Sequence, residues 1–326
     1  MISPMNEPTH PARIGVQAVE IKEDQHNQRI DNFLMRFMGN IPKTRIYRLI
    51  RKGEIRVNKG RIKINHRLKV GDIVRIPPVW VEDDTDTVKI PTGLKLEIEQ
   101  RILFENEQCF VINKPAGLAV HGGSGLRFGL LDVVKALRPD LEYVELAHRL
   151  DRETSGCIIL AKNRITLTFL HEQFKSGTVI KKYLAGVIGH WNEGSKTVRA
   201  ALRKNVIQGG ERMVEVAADG KPAVSHFSLL QHYPGLSLME VTLDTGRTHQ
   251  IRVHAAHEGH PVAGDKKYGD KRANQDLKES GLGHLFLHAH WLELALPDRH
   301  EKLMVTTPLP ENLQQVLTNL ETTGTR

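Results

Sequence analysis

Between Ile41 and Arg75, 12 residues are basic and two, Glu54 and Asp72, are acidic, a local net charge of +10. The other 291 residues sum to −2, so the formal charge of +8 is the property of one short block. A block this basic can fold only as a small unit that turns its few apolar residues inwards and its cations outwards. A one-signed surface repels itself unless an anionic partner neutralises it. Nucleic acid fits that partner best. An anionic membrane fits less well, because no amphipathic helix with aromatic anchors accompanies the charge.

The spacing around the block says how it folds. Ile30, Phe33, Leu34, Phe37 and Met38 follow the i, i+3, i+4, i+7, i+8 rhythm of a helix with one buried face. After Gly39-Asn40 a second helix begins near Pro42 and is capped by Gly53. Its Ile46, Leu49 and Ile50 make an apolar stripe, while Arg45, Arg48 and Lys52 share a face pointing away from the core. Two short alternating segments, Ile55 to Asn58 and Arg61 to Ile64, meet at the Asn58-Lys59-Gly60 turn and present Arg56, Arg61 and Lys63 outwards. A Gly71-Asp72 turn introduces Ile73 to Ile76, and Pro77-Pro78 ends the unit. Residues 1–27 read as a flexible lead, 28–78 as the basic unit, and the acidic, Pro- and Gly-bearing stretch 79–96 as a linker.

Residues 97–320 read as a second, larger domain. Strand-like runs at Ile102 to Phe104, Cys109 to Ile112, Cys157 to Ala161, Tyr183 to Ile188 and Ser237 to Leu243 mix with helix-like runs at Leu131 to Leu137 and Ile165 to Phe174. Short turns between neighbouring strands argue for an α+β class with a mixed, largely antiparallel sheet. Two cysteines, Cys109 and Cys157, sit in apolar runs and read as buried thiols of a reduced compartment. No apolar stretch approaches the roughly 18 residues of a membrane helix. Met1 to Arg13 lacks the apolar core of a secretory signal. A cytoplasmic, monomeric protein is expected.

Four polar segments carry the candidate chemistry: Asn113-Lys114-Pro115-Ala116-Gly117, His148-Arg149-Leu150-Asp151-Arg152-Glu153-Thr154-Ser155-Gly156, Lys181-Lys182-Tyr183-Leu184-Ala185, and Thr245-Gly246-Arg247-Thr248-His249-Gln250-Ile251-Arg252-Val253-His254. In this order they resemble the RluA-type family of pseudouridine synthases, over about Ile102 to Pro308. His121 to Gly125, Gly264 to Asp270 and Leu285 to Ala289 resemble the subgroup acting on large-subunit (23S) ribosomal RNA. The basic unit, about Arg29 to Pro77, resembles the S4 RNA-binding domain, whose cations grip phosphates without reading sequence.

The resemblance implies the reaction and the roles. A uridine's N-glycosidic bond breaks, the base turns over, and it rejoins through carbon, with neither cofactor nor metal. Asp151 is implied as the catalytic carboxylate, either as nucleophile or as base on the ribose. Tyr183 is implied to lie against the base and help remove its C5 proton. Arg252 is implied to pair with Asp151, with Arg247 the competitor for that role. Arg149, Arg247 and His121 are expected RNA contacts, alongside Arg45, Arg48, Lys52, Arg56, Arg61 and Lys63. Metal binding is not expected, since His257-Glu258-Gly259-His260 lacks HExxH spacing. Gly122-Gly123-Ser124-Gly125 lacks the ending of a P-loop, and Ser155 near His148 lacks a nucleophile elbow. Two rival readings share these features: a non-catalytic RNA-binding assembly factor, and a glycosylase that releases the base.

Overall fold

The computed structural model describes residues 12–38, 41–81, 90–122, 127–208, 211–297 and 301–324. It divides into two units, Met1–Lys89 and Ile90–Arg326. In the first, strands β1 (Ala12–Ile14) and β2 (Gln17–Glu20) precede helices α1 (Ile30–Phe37) and α2 (Lys43–Lys52). Strands β3 (Arg56–Val57), β4 (Gly60–Arg61), β5 (Ile73–Ile76) and β6 (Val79–Val81) follow. One antiparallel sheet runs in the order β2-β5-β3-β4, and β1 pairs with β6.

Ile30, Phe33 and Leu34 of α1 share a core with Ile46, Leu49 and Ile50 of α2. Asp31 ties the helices together: it accepts from Arg29 at 2.7 Å and from the Tyr47 hydroxyl at 3.1 Å. Burial opposes its charge, yet these donors hold its carboxyl below the usual range. Gly53, at φ +72, caps α2 in the left-handed conformation that favours glycine. Ile55 and Val57 are buried while Arg56, Arg61 and Lys63 are exposed, as are Arg48 and Lys52; Arg45 is half-buried. Arg56 also donates to the Gly53 carbonyl at 3.1 Å, so part of its guanidinium serves the fold.

Three segments differ from expectation. The lead, 1–27, carries β1 and β2, and Ile21 is buried in the core. β2 is too short and polar to announce itself, and exists by pairing with β5. The linker, 79–96, contains β6 and the start of a helix, so Pro77-Pro78 does not end the first unit. Its acidic Glu82, Asp83, Asp84 and Asp86 lie outside the described residues. The strand expected at Arg61 to Ile64 is ordered as a ladder only at Gly60–Arg61, though Ile62 and Ile64 still pack on the core.

The second unit opens with α3 (Thr92–Gln100), β7 (Ile102–Glu105), β8 (Cys109–Lys114), α4 (Leu130–Leu137), β9 (Glu145–Leu146), β10 (Ser155–Ala161), α5 (Arg164–Ser176) and β11 (Ile180–Ile188). It continues with β12 (Ser195–Arg199), β13 (Leu202–Gln208), β14 (Glu211–Val216), β15 (Val224–Tyr233) and β16 (Leu236–Leu243). Last come α6 (Gln250–His257), α7 (Lys271–Asp276), β17 (Leu287–Leu294), β18 (Leu303–Thr306) and α8 (Glu311–Gly324). The main sheet has the order β12-β15-β16-β11-β17-β10-β8-β7, with β9 beside β10 and β18 beside β17. β10 and β17 are parallel, and the other ladders of this sheet are antiparallel.

β10 is buried along its whole length, because both faces of the sheet are covered there. Ile158 and Leu160 join one core with Phe110 and Ile112; Cys157 and Ile159 join another with Leu170 of α5. That is why Cys157 to Ala161 reads as an unbroken apolar run rather than an alternating one. Both cysteines are buried thiols outside any disulfide. Gly156, at φ +109, lets β10 approach β17 so closely that any Cβ there would collide with the Ala289 carbonyl.

Candidate active site

Asp151 lies in the loop between β9 and β10. Leu150 is driven into the core, which leaves Asp151 half-buried and its neighbours Arg149 and Arg152 exposed. The loop is clamped by the Asn113 to Gly117 segment. Gly117 N–H donates to the Arg152 carbonyl at 2.9 Å, and Arg152 Nε donates to the Gly117 carbonyl at 2.9 Å. Beneath them Lys114 is fully buried and donates to the carbonyls of Pro115, Leu118 and Arg152 at 2.9, 2.8 and 3.0 Å. Burial pulls its pKa down to about 7, against the attraction of Glu153 and Asp151. Three carbonyls match the three donors of an ammonium, so the segment anchors the Asp151 loop from below.

The other half of the site comes from the start of α6. Gln250 organises it: its Oε1 accepts from the Thr245 hydroxyl at 2.7 Å and the Arg247 N–H at 3.0 Å. Its Nε2 donates to the Val224 carbonyl and to Ser225 Oγ, both at 2.9 Å. This knot delivers Arg252 to Asp151, with Nη1 at 2.9 Å from Oδ2. Arg247 instead donates through Nε to the Pro222 carbonyl at 3.1 Å.

Arg252 is gripped from behind by Asp265, with Nε at 2.7 Å from Oδ2 and Nη2 at 2.9 Å from Oδ1. Asp265 is fully buried and also accepts the N–H groups of Lys267 and Tyr268 at 2.8 and 3.1 Å. Burial works against its charge, but Arg252 and the two amides outweigh it and hold its carboxyl below the usual range. Burial likewise opposes the Arg252 charge, and the two carboxylates more than restore it.

His249 completes the surround of Asp151. It stands in the left-handed region at φ +53, as the cap of α6, with Nε2 3.7 Å from Asp151 Oδ2. Its Nδ1 lies 2.7 Å from the Tyr268 hydroxyl, which accepts the Val214 N–H at 3.0 Å. Assigning the Tyr268 proton to Nδ1 satisfies both groups and leaves Nε2–H facing the carboxylate. Both neighbours of Asp151 therefore address Oδ2. Oδ1 has no hydrogen-bond partner among the described residues.

Tyr183 sits on β11 where the register with β17 shifts: Lys182 faces Trp291 and Tyr183 faces Ala289, with His290 the extra residue. Bulges of this kind re-aim side chains beside active sites. The ring is buried, and burial followed by the charge of Asp151 raises its phenol pKa, so the hydroxyl keeps its proton at neutral pH. Tyr183, Asp151, Arg252, Arg149, Arg247 and His121 all line one cleft of about 1230 Å³. Arg45, Arg48, Lys52, Arg56, Arg61 and Lys63 belong to the first unit.

Ser155 and His148 are not partners. Ser155 Oγ is 2.8 Å from His288 Nδ1, and His148 Nε2 accepts the Ile159 N–H at 3.2 Å. Sequence reasoning missed Asp265, His249 and Gln250 as site residues. All three stand inside recognised segments, but nothing in their spacing says that Asp265 meets Arg252. Among the described residues no group of three or more His, Cys, Asp or Glu could hold a metal ion, and no helix is long and apolar enough to cross a membrane.

Comparison with known proteins places this arrangement. Residues 108–257 match the model of the RNA pseudouridylate synthase family, and residues 28–74 match the S4 domain. A protein of Haemophilus ducreyi described as ribosomal large subunit pseudouridine synthase C is 46% identical over 94% of this chain and 96% of its own. The protein of the same description from Escherichia coli is 45% identical over 94% and 97%. Among solved structures, human RNA pseudouridylate synthase domain containing 4 superposes with a TM-score of 0.59 at 28% identity, over 70% of this chain and 96% of that one. With an arginine held between a half-exposed and a buried carboxylate at the base of the cleft, the chain belongs to the RNA pseudouridylate synthase family and carries an N-terminal S4 domain.

Proposed function

We propose that this protein isomerises specific uridines of 23S ribosomal RNA to pseudouridine, with Asp151 as the reacting carboxylate. The observation that carries the role of Asp151 is its one-sided anchoring: Arg252 and His249 address Oδ2, and no described residue engages Oδ1. The N1–C1′ bond breaks, the base rotates, the C5–C1′ bond forms, and the C5 proton is lost as N1 gains one. The change is redox-neutral. Whether the carboxylate attacks C1′ or removes the C2′ proton, the reacting atom is the same Oδ1. Its charge also stabilises the electron-poor sugar that forms as the base departs.

Tyr183 supplies a flat, protonated phenol beside that carboxylate, suited to pack on the flipped base and to hold it while C5 is presented. Arg149, Arg247 and His121 line the same cleft and serve as contacts to the flipped nucleotide and its neighbours. The basic face of the S4 domain grips RNA phosphates without reading bases. The large-subunit substrate follows from the descriptions of the bacterial relatives, and a cytoplasmic location goes with that substrate.

The test is Asp151→Asn assayed on an unmodified 23S transcript. RNA affinity is expected within about threefold of wild type, while pseudouridine formation falls by at least about 10⁴-fold, since the reacting atom is gone. Near-normal turnover by the variant removes Asp151 from the reaction. Release of free uracil by the wild-type protein would make it a glycosylase, and tight binding without any product would make it an assembly factor.

A further inference from the structure

Lys181 is used by nothing described so far. It lies two residues before Tyr183 on β11, and the burial pattern of that strand puts both on one face. Their Cα atoms are therefore roughly 6.6 Å apart along the strand. Lys181 is 7% exposed and lines the same cleft as Asp151 and Tyr183. Its Nζ stands 5.9 Å from the centroid of Phe174, a residue of α5 whose ring stacks on His148.

The ammonium has the Phe174 ring beside it but no oxygen partner. Among the described residues no hydrogen-bond acceptor engages it and no carboxylate lies within the 4 Å of an ion pair. Asp244 attracts it from farther away, and Asp244 is itself 3.0 Å from His226. Two other lysines of this unit have the partners that Lys181 lacks. Lys182, on the opposite face of the strand, pairs with Glu240 at 3.0 Å. Lys114, more deeply buried, has three carbonyl acceptors. The stem of Lys181 is buried while its Nζ opens on the cleft, so the charge is held where an incoming anion can reach it. Burial accordingly lowers the pKa of Lys181. His148 beside it offers no charge, since burial pushes its pKa down to about 3.

We propose that Lys181 is an anion subsite of the cleft, which receives a phosphodiester of the substrate RNA beside the uridine lying on Tyr183. This rests on the isomerase reading. In a polynucleotide the phosphodiester is the anionic group, and a compact ammonium at the end of a flexible stem binds it as a point charge. Held at that point and against Tyr183, the flipped nucleotide is pinned at its backbone and its base, so Lys181 contributes substrate binding rather than the chemical step.

The experiment compares wild type, Lys181→Met and Lys181→Arg, each as the full chain, on an unmodified 23S rRNA transcript. Met keeps an unbranched stem beside Phe174 without charge; Arg keeps the charge. For Lys181→Met, the apparent Kd in single-turnover pseudouridine formation is expected to rise about tenfold and the salt slope of log Kd to fall by about 0.7 to 0.9, the signature of one phosphate left without its cation. The rate at saturating protein should stay within about threefold, and Lys181→Arg should recover most of the affinity and the whole slope. An unchanged slope in Lys181→Met overturns the proposal. So does an Arg variant as weak as the Met variant, or a saturating rate that collapses while affinity is kept. If Lys181→Met does not fold, the Arg variant still decides, because a packing role predicts weakened binding there and the subsite predicts retention. Equilibrium binding measured with the same transcript reads the slope even if the wild-type protein forms no pseudouridine, so failure of the isomerase reading is seen separately.

Discussion

At the scale of single residues, the site is built around one guanidinium with three faces. Asp265 occupies Nε and Nη2, which fixes the plane of Arg252 and leaves Nη1 aimed at Asp151 Oδ2. The fully buried partner sets the geometry, and the half-exposed one receives it. Asp265→Asn keeps the shape and removes the charge, leaving Arg252 with a neutral amide in a buried place. Breaking a buried pair costs about 3 kcal/mol or more. Urea unfolding should report a loss of that size. Turnover should fall by about 100-fold with KM little changed, because what is lost is the orientation of Asp151 rather than a grip on RNA. A variant that is destabilised yet turns over normally would reduce Asp265 to a structural role.

At the scale of elements, the nine-residue signature from His148 to Gly156 does several unlike jobs in one stretch. His148 caps an amide of β10, Leu150 plugs the core, Asp151 faces the cleft, and Gly156 admits β17. Gly156→Ala combines a positive φ with a collision against the Ala289 carbonyl, so β10 and β17 must part. A loss of about 3 kcal/mol in unfolding free energy is expected, with a matching fall in turnover as the loop ahead of it shifts. The first unit has its own element to test. Replacing Arg45, Arg48 and Lys52 with Gln should weaken RNA binding and lower the salt slope by about 0.7 to 0.9 for each phosphate that α2 no longer neutralises. An untouched slope would mean that α2 does not anchor the RNA.

At the scale of the whole molecule, burial of neutral histidines ties stability to pH. Burial pushes His148 down to about 3 and His288 down to about 4. Both folded values lie below the roughly 6.5 of a free imidazole. The unfolded chain therefore takes up protons that the folded chain refuses, and stability is lost as pH falls below about 6.5, continuing towards the folded values. Each of the two contributes at most about 1.4 kcal/mol per pH unit, steepest at roughly pH 5, where the unfolded imidazole is protonated and the buried one is not. Urea unfolding at pH 7, 6 and 5 should show the decline, and His288→Gln should make it shallower.

Most of the local architecture, and the residues that meet in the cleft, were legible in the sequence. The helix at Ile30, the Gly53 cap, the hairpin turn at Asn58-Lys59 and the buried run at Cys157 to Ala161 all follow from short-range periodicity and backbone preference, which a chain writes into adjacent positions. Asp151, Tyr183 and Arg252 were legible because they stand in dense motifs. Three things were decided only by tertiary structure. The lead and the linker acquired β1, β2 and β6, weak strands that exist because partners distant in sequence supply their hydrogen bonds. Arg252 was the expected partner of Asp151, but that its Nη1 reaches Oδ2 while Arg247 turns to the Pro222 carbonyl is geometry that spacing alone does not give. Asp265, His249 and Lys181 gained meaning only when the fold brought or denied them a partner. Spacing along the chain fixes which residues share a face; whether a charge is matched depends on what the fold packs against that face.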